Sequence, residues 1–343
     1  MNFIEQLGLL YLNKGPGPVY DMLSILGFKA VIVALKLNIF ETLDENTYSD
    51  KELADVLNVN PDGLSLLLDA LLNLGYISVK KNKYRNTPMS KSWMLKRSPL
   101  CITDLFFYFE DTFKRWNHLD ETIRLGKQPS SLNKWFDKDE ENWNRYHAGM
   151  KSIAKIVSKD VVKKVKLRSN TRKLLDIGGS HGLYSIHFCR KYPLLTACIL
   201  DLKASKRIAE DTIIKEGMTN RVRFLEGNFL SIHFDYSFDV LLLFNFIRVF
   251  KLPDLRNVLK KCYNLLSLHG VIVILDQFGH NLSTTFTKAN NSLIRLELYN
   301  ILCHPTHSVD KTISLLNQTG FNSSRYIHLS NSGGLGVIRS QKV

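Results

Sequence analysis

The sequence predicts an α/β fold, a parallel sheet wound by helices, preceded by a mostly helical unit that ends in a small hairpin. Three observations carry that prediction. From Arg172 onward, short apolar runs alternate with helical segments, the pattern of strands joined by crossover helices. The first strand–helix junction holds a glycine-rich turn, Asp176-Ile177-Gly178-Gly179-Ser180-His181-Gly182. Before residue 100 the chain reads helix, turn, helix, hairpin.

The N-terminal elements follow in order. Ala30 to Leu37 is apolar but broken by Lys36, and falls short of the ~18 residues that span a bilayer, so it reads as a buried helix. Asp50-Lys51-Glu52-Leu53-Ala54-Asp55-Val56-Leu57 begins a helix capped by Ser49 or Asp50. Asn58 to Asp62 reads as a turn. Gly63 to Leu74 has leucines at helical spacing and stops at Gly75. Tyr76 to Val79 and Tyr84 to Thr87 read as the two arms of a hairpin. This is winged-helix order, in which the second helix often enters DNA. Here that helix is almost wholly apolar and Asp69 is its only charge, whereas a recognition helix needs basic and amide side chains. A packing or dimerisation unit is expected, and nucleic acid is not an expected partner. The predicted organisation is a winged-helix-like dimerisation domain over 1–100, a helical linker with pocket helices over 101–165, and the sheet domain over 166–343.

Residues 101–165 read as helical with interleaved aromatics: Phe106, Phe107, Tyr108, Phe109, Phe113, Trp116, Trp135, Phe136, Trp143 and Tyr146. Most are expected in a core, and a few can line a pocket for a flat ligand.

Composition narrows the function classes. The chain has 343 residues, 45% hydrophobic and 23% charged, as in an ordinary globular protein. The net charge is +14, but the lysines are spread along the chain, with only small clusters at Lys80-Lys81-Asn82-Lys83 and Lys163-Lys164-Val165-Lys166. Met1-Asn2-Phe3-Ile4-Glu5 has no basic region leading into an apolar core, so no secretory leader, no membrane partner and a cytoplasmic location are expected. Cys101, Cys189, Cys198, Cys262 and Cys303 are odd in number and show no CxxC spacing, which favours reduced thiols. Cys303-His304-Pro305-Thr306-His307 offers three metal-ligand types without a fourth, so no metal is expected.

The sheet domain carries the chemistry. Its strand candidates are Lys173 to Ile177, Thr196 to Leu200, Val222 to Glu226, Val240 to Phe244 and Val271 to Asp276. The glycine turn follows the first, and helix 183–191 follows the turn. Glycines let a ligand approach the backbone, and a helix N-terminus offers free amide donors. The next strand ends in Asp201, a carboxylate placed to accept ribose hydroxyls. The turn reads GGxxG rather than the dinucleotide pattern GxGxxG, and Asp176 beside it would repel phosphate but suit an ammonium. S-adenosylmethionine has a ribose, an amino acid and a sulfonium, and no phosphate.

With these residues in place, the chain resembles, over nearly its whole length, the O-methyltransferases that include caffeic acid, hydroxyindole and bacterial antibiotic methyltransferases. Lys51-Glu52-Leu53-Ala54, Leu66-Leu67-Leu68 and Leu74-Gly75-Tyr76 match that family's dimerisation domain. Trp116, Leu125-Gly126 and Tyr146-His147-Ala148-Gly149-Met150 fall on its pocket helices. The glycine turn, Asp201-Leu202, Gly227-Asn228-Phe229-Leu230, Phe238-Asp239-Val240 and Thr319-Gly320-Phe321 follow in family order. The resemblance implies a Rossmann-like class I methyltransferase domain and a homodimer whose partner chain helps close the pocket. It also implies methyl transfer from S-adenosylmethionine to a small, aromatic secondary metabolite. Cofactor contacts are implied at Asp176, Gly178, Gly179, Gly182, Asp201, Leu202, Asn228, Phe229 and Asn245, and substrate contacts at Trp116, Tyr146, Met150 and Arg248.

Two departures bear on mechanism. Gly227-Asn228 stands where the family has Gly-Asp, and an asparagine carbonyl can still accept from the adenine amino group. Arg248, in Ile247-Arg248-Val249-Phe250, stands where the family has its general-base histidine. With that second departure goes the family's supporting Glu-Arg-Thr segment, where this chain has Thr306-His307-Ser308. An arginine keeps its proton near neutrality and cannot act as a base. Three readings follow. The acceptor needs little base help, and Arg248 holds an anionic group. A different histidine serves, with His118, His147, His304 and His307 near the pocket by resemblance and His147 and His307 carried forward as catalytic candidates. Or the scaffold runs another reaction, such as a pericyclic step, decarboxylation or hydroxylation, with the cofactor as an electrostatic or structural element. A DNA-binding regulator that senses the cofactor stands behind these.

Overall fold

The computed structural model describes residues 17–127, 140–329 and 332–343. The expectations placed on Met1 to Glu5, Trp135 and Phe136 lie outside those residues. The chain forms two compact units that divide between Phe107 and Tyr108.

The first unit contains α1 (Gly17–Lys36), α2 (Ile39–Glu45), α3 (Asp50–Leu57), α4 (Pro61–Asn73), β1 (Ile77–Lys80), β2 (Lys83–Asn86) and α5 (Pro88–Trp93). Ser49 caps α3 in a capping box with Glu52, which satisfies two orphan amides at once. The second helix starts two residues before the expected Gly63. Asn60 accepts from the Gly63 amide, and Pro61 already has the φ a first turn needs. Gly75, at φ +79°, ends that helix, a conformation a side chain would strain. Leu53, Leu64, Leu68 and Leu71 turn inward onto Phe40 and Ile77. Each fully buried leucine stabilises by roughly 1.5–3 kcal/mol relative to exposure. The outer face of α1 leaves Met22, Leu23, Ile25, Leu26 and Val33 exposed, so the helix expected to be buried is buried on one side only. Among the described residues, no single helix is long and apolar enough to cross a membrane.

The second unit is a seven-stranded sheet with helices on both faces. α6 (Thr103–Trp116) crosses the division, and α7 (Leu119–Leu125) and α8 (Glu140–Lys164) precede the sheet. Then come β3 (Lys173–Ile177), α9 (Leu183–Lys191), β4 (Thr196–Asp201), α10 (Lys206–Lys215), β5 (Val222–Glu226), β6 (Phe238–Phe244), α11 (Leu252–Leu265), β7 (Leu266–Gln277), α12 (Thr285–Leu302), α13 (Val309–Gln318), β8 (Phe321–His328) and β9 (Leu335–Lys342). The strand order is β5-β4-β3-β6-β7-β9-β8. The first five strands run parallel, as the periodicity predicts. The last two pair antiparallel and make the sheet mixed at one edge. Val157, Val161 and Phe188 cover one face of the sheet, and Leu255, Leu259 and Leu316 the other. None of the five cysteines is in a disulfide among the described residues.

β3 pairs with β4 on one side and β6 on the other, so the order reverses between β3 and β6. Crevices at the carboxyl ends of strands at such a switch point are where open α/β sheets bind ligands.

Candidate active site

The glycine turn sits at this switch point. Its backbone is fixed by the sheet, because the Gly178 amide donates to the Leu200 carbonyl at 2.8 Å. Gly182 caps α9 at φ +69°, and a Cβ there would lie 2.2 Å from Ile199 Cδ1. Any other residue there would have to displace the Ile199 side chain and adopt a strained positive φ. Between the glycines, Ser180 takes φ +45° and points its amide at Asp201 Oδ2, 2.8 Å away. The Leu202 amide holds Oδ1 of the same carboxylate at 2.7 Å. Asp201 is thus locked across the turn, and burial raises its pKa. Leu202 itself is half exposed.

Asp176 is 1% exposed at the end of β3. Ser185 Oγ donates to its Oδ2 at 2.6 Å, while Oδ1 has no partner among the described residues. Burial pushes its pKa up to about 7. His147, on α8, reaches the same turn with Nδ1 2.6 Å from Ser180 Oγ. Its ring stacks on Trp143 at 5.4 Å, and burial pushes its pKa down to about 4. The Gly227 amide donates to the Asp201 carbonyl at 2.9 Å and brings the Asn228 turn alongside. Asn228 Oδ1 accepts from the Leu230 amide at 2.9 Å. Phe229 is buried, with Lys261 Nζ 5.0 Å from its ring centre.

The second turn follows β6. The Asn245 amide donates to the Leu275 carbonyl at 2.7 Å, which sets the turn beside the end of β7. Arg248 Nε lies 2.8 Å from Asp276 Oδ1, and Arg248 Nη2 donates to Asn245 Oδ1. Both members of this ion pair are largely buried, at 13% and 4% side-chain exposure. The Phe246 ring touches Gly178, so the two turns meet. His307 Nε2 lies 2.9 Å from the Phe250 carbonyl, and burial lowers its pKa. That contact ties the ring to the Arg248 turn. His304 contacts the Pro305 carbonyl, and His118 begins α7.

Around these turns lie the pocket helices. Tyr146 meets Tyr108 edge-on at 5.8 Å and adjoins Trp143 and His147. Burial raises the Tyr146 phenol pKa, with the positive charges of Arg248 and Arg115 opposing the rise. Trp116 Nε1 donates to Glu297 on α12, and Arg115 pairs with Glu297 at 2.7 Å. Met150 is half-buried two turns along α8 from Trp143, and its backbone carbonyl accepts from buried His181. The sequence reading did not single out Asp276, Glu297, Arg115 or Ser180. The signal for the first two was present, a lone acid closing the apolar strand β7 and a lone acid within α12.

The donor set fits S-adenosylmethionine. Asp176 Oδ1 is an unpaired acceptor suited to an ammonium, and Asp201 is a carboxylate fixed for vicinal hydroxyls. Phe229 is an apolar wall, and no group on the glycine turn demands a phosphate.

Comparison with known proteins bears on the same residues. The O-methyltransferase domain matches residues 116–321, and the O-methyltransferase dimerisation domain matches 22–96. The chain is 24% identical over 271 residues to the tetracenomycin polyketide synthesis 8-O-methyl transferase TcmO of Streptomyces glaucescens, covering 77% of this chain and 79% of that protein. It is 23% identical to the N,N-dimethyltransferase OxyT of Streptomyces rimosus, covering 92% of each. The human N-acetylserotonin methyltransferase, solved in complex with S-adenosylmethionine, superposes with a TM-score of 0.80 at 17% identity, over 94% of this chain and 97% of that one.

Proposed function

The chain belongs to the O-methyltransferase family and is an S-adenosylmethionine-dependent methyltransferase, and we propose that it methylates a small aromatic metabolite whose acceptor group is already nucleophilic when it arrives. The observation that carries this is the buried Arg248–Asp276 ion pair in the place the family gives its base. A guanidinium held by a carboxylate offers no lone pair for a phenolic proton, but it can orient a carboxylate or a phenolate. The substrate class draws support from relatives named for polyketide and antibiotic methylation.

S-adenosylmethionine supplies an electrophilic methyl group. In this reading Asp176 takes the ammonium, Asp201 the ribose hydroxyls, and Asn228 and Phe229 the adenine, with Asn245 nearby. Tyr146, Met150 and Trp116 wall the acceptor, and Arg248 turns its negative oxygen toward the methyl. Orientation then does most of the catalytic work, since no proton has to move. The dimerisation domain and the apolar outer face of α1 support a homodimer.

The test uses acceptors of one shape and different acidity: an aromatic carboxylic acid, a nitrophenol and a plain phenol. Adenosylhomocysteine is measured against pH. The ionised acceptors are expected to turn over at pH 7, and the plain phenol only as pH approaches its own pKa of roughly 10. Full turnover of the plain phenol at pH 6 would falsify the reading. An acceptor consumed without adenosylhomocysteine would favour a non-methylating reaction on the same scaffold.

A further inference from the structure

Buried polar atoms are nearly always hydrogen-bonded, so an orphan in a cleft marks a missing partner. His147 Nε2 is such an atom. The residue is 4% exposed, and Nε2 has no partner among the described residues. The ring is not free to turn away, because Nδ1 is held by Ser180 Oγ at 2.6 Å and one face lies on Trp143.

The tautomer follows from the partners. The ring is neutral, since burial disfavours its charged form. If the Ser180 hydroxyl donates to Nδ1, both groups are satisfied and Nε2 carries the ring proton. The reverse arrangement would leave two groups without partners. Nε2–H is therefore a donor waiting for an acceptor beside the glycine turn.

An amino-acid head group brings an ammonium and a carboxylate on one carbon. Asp176 Oδ1, at the foot of the turn, suits the ammonium. The carboxylate needs a donor; Lys151 Nζ is held by Thr212 Oγ1 at 2.8 Å, and Arg248 is assigned above to the acceptor. We propose that His147 Nε2–H binds the carboxylate of the cofactor's amino-acid head group, which makes His147 a cofactor-binding residue and not the missing base. This rests on the reading that the cofactor lies on the 176–182 turn.

Calorimetric titration with two ligands tests it. Adenosylhomocysteine carries the head group, and 5′-methylthioadenosine lacks it. In His147→Asn the amide sits near the Nδ1 position, keeps Ser180 and loses the outer donor. In His147→Gln the amide reaches the Nε2 position. His147→Asn is expected to weaken adenosylhomocysteine by roughly 10-fold or more and to leave methylthioadenosine unchanged, with His147→Gln recovering most of the loss. Equal loss for both ligands assigns His147 a structural role and overturns the inference, as does no loss for either. If the unaltered protein binds neither ligand, the cofactor site itself is misplaced and the inference falls with it. Binding that ignores both substitutions leaves the site intact and removes only His147.

Discussion

The turn after β3 and the turn after β6 meet at one switch point of the sheet, yet they settle their polar groups in opposite ways. The first leaves Asp176 Oδ1 and His147 Nε2 buried without partners among the described residues. The second closes on itself, with Arg248 on Asp276 and Asn245, and His307 on the Phe250 carbonyl. Each unpaired buried group costs about 1–3 kcal/mol, a penalty a binding site tolerates when a ligand lifts it. In the second turn the charges are paired, and only Arg248 Nε and Asp276 Oδ2 lack a hydrogen-bond partner among the described residues. The two turns can therefore be probed separately, the first through cofactor binding and the second through its buried charges.

The largest effect should come from opening the closed turn. Asp276→Ala strands the Arg248 charge in a buried site, at a cost of about 3–5 kcal/mol. The melting temperature should fall by roughly 10 °C. The double substitution Arg248→Met with Asp276→Leu should recover most of that loss, since an apolar pair of similar volume is often neutral. If thermal unfolding shows the double variant as unstable as the single one, the pair is not the unit described.

The open turn should respond chiefly in binding. Asp201→Asn keeps the outline and removes the charge, but its amide nitrogen cannot accept from one of the two backbone amides, so a stability loss of about 1–3 kcal/mol accompanies the binding loss. Adenosylhomocysteine affinity should drop by roughly 10–100-fold. An unchanged dissociation constant would move the ribose elsewhere.

A smaller, pH-dependent effect follows from Asp176. With its pKa near 7, it takes up a proton in the free protein as pH falls through neutrality. A cofactor ammonium favours the ionised form, so binding should release a proton below pH 7. Affinity should then weaken by up to about tenfold per pH unit. Stability of the free protein runs the other way. The folded form holds this proton above the ordinary value of 3.8, so the contribution is full below that value and lost as pH rises through about 7. Titration in buffers of different ionisation enthalpy reads the proton directly, and Asp176→Asn should abolish the slope.

The same contrast explains what was legible in the sequence. Local backbone demands were readable: the glycine turn, the cap at Ser49, the stop at Gly75. α4 began early because Asn60 and Pro61 are start signals that a turn reading absorbed. β8 and β9 were not read as strands, since Asn322-Ser323-Ser324-Arg325 interrupts the apolar pattern and a bulge falls there. In the site, single residues were readable and partnerships were not. Arg115 and Glu297 are 182 positions apart, and only the fold brings them together. Asp276 looked like the end of an apolar strand until β7 was set beside β6.

The smallest expected effect lies at the edge of the open turn. Asn228 is exposed, and its Oδ1 already accepts from the Leu230 amide. An aspartate at this position would make the same bond and could also accept from the adenine amino group, so Asn228→Asp preserves the geometry and adds one charge. An exposed charge acts through water and is screened by salt, so its gain should stay near 0.2–1 kcal/mol, under about fivefold in affinity. Calorimetry at low and high ionic strength should show that modest tightening fade as salt rises. A gain that persists in high salt would mean the position is desolvated once the cofactor binds, and the adenine edge would then belong with the buried groups of the turn and not with its rim.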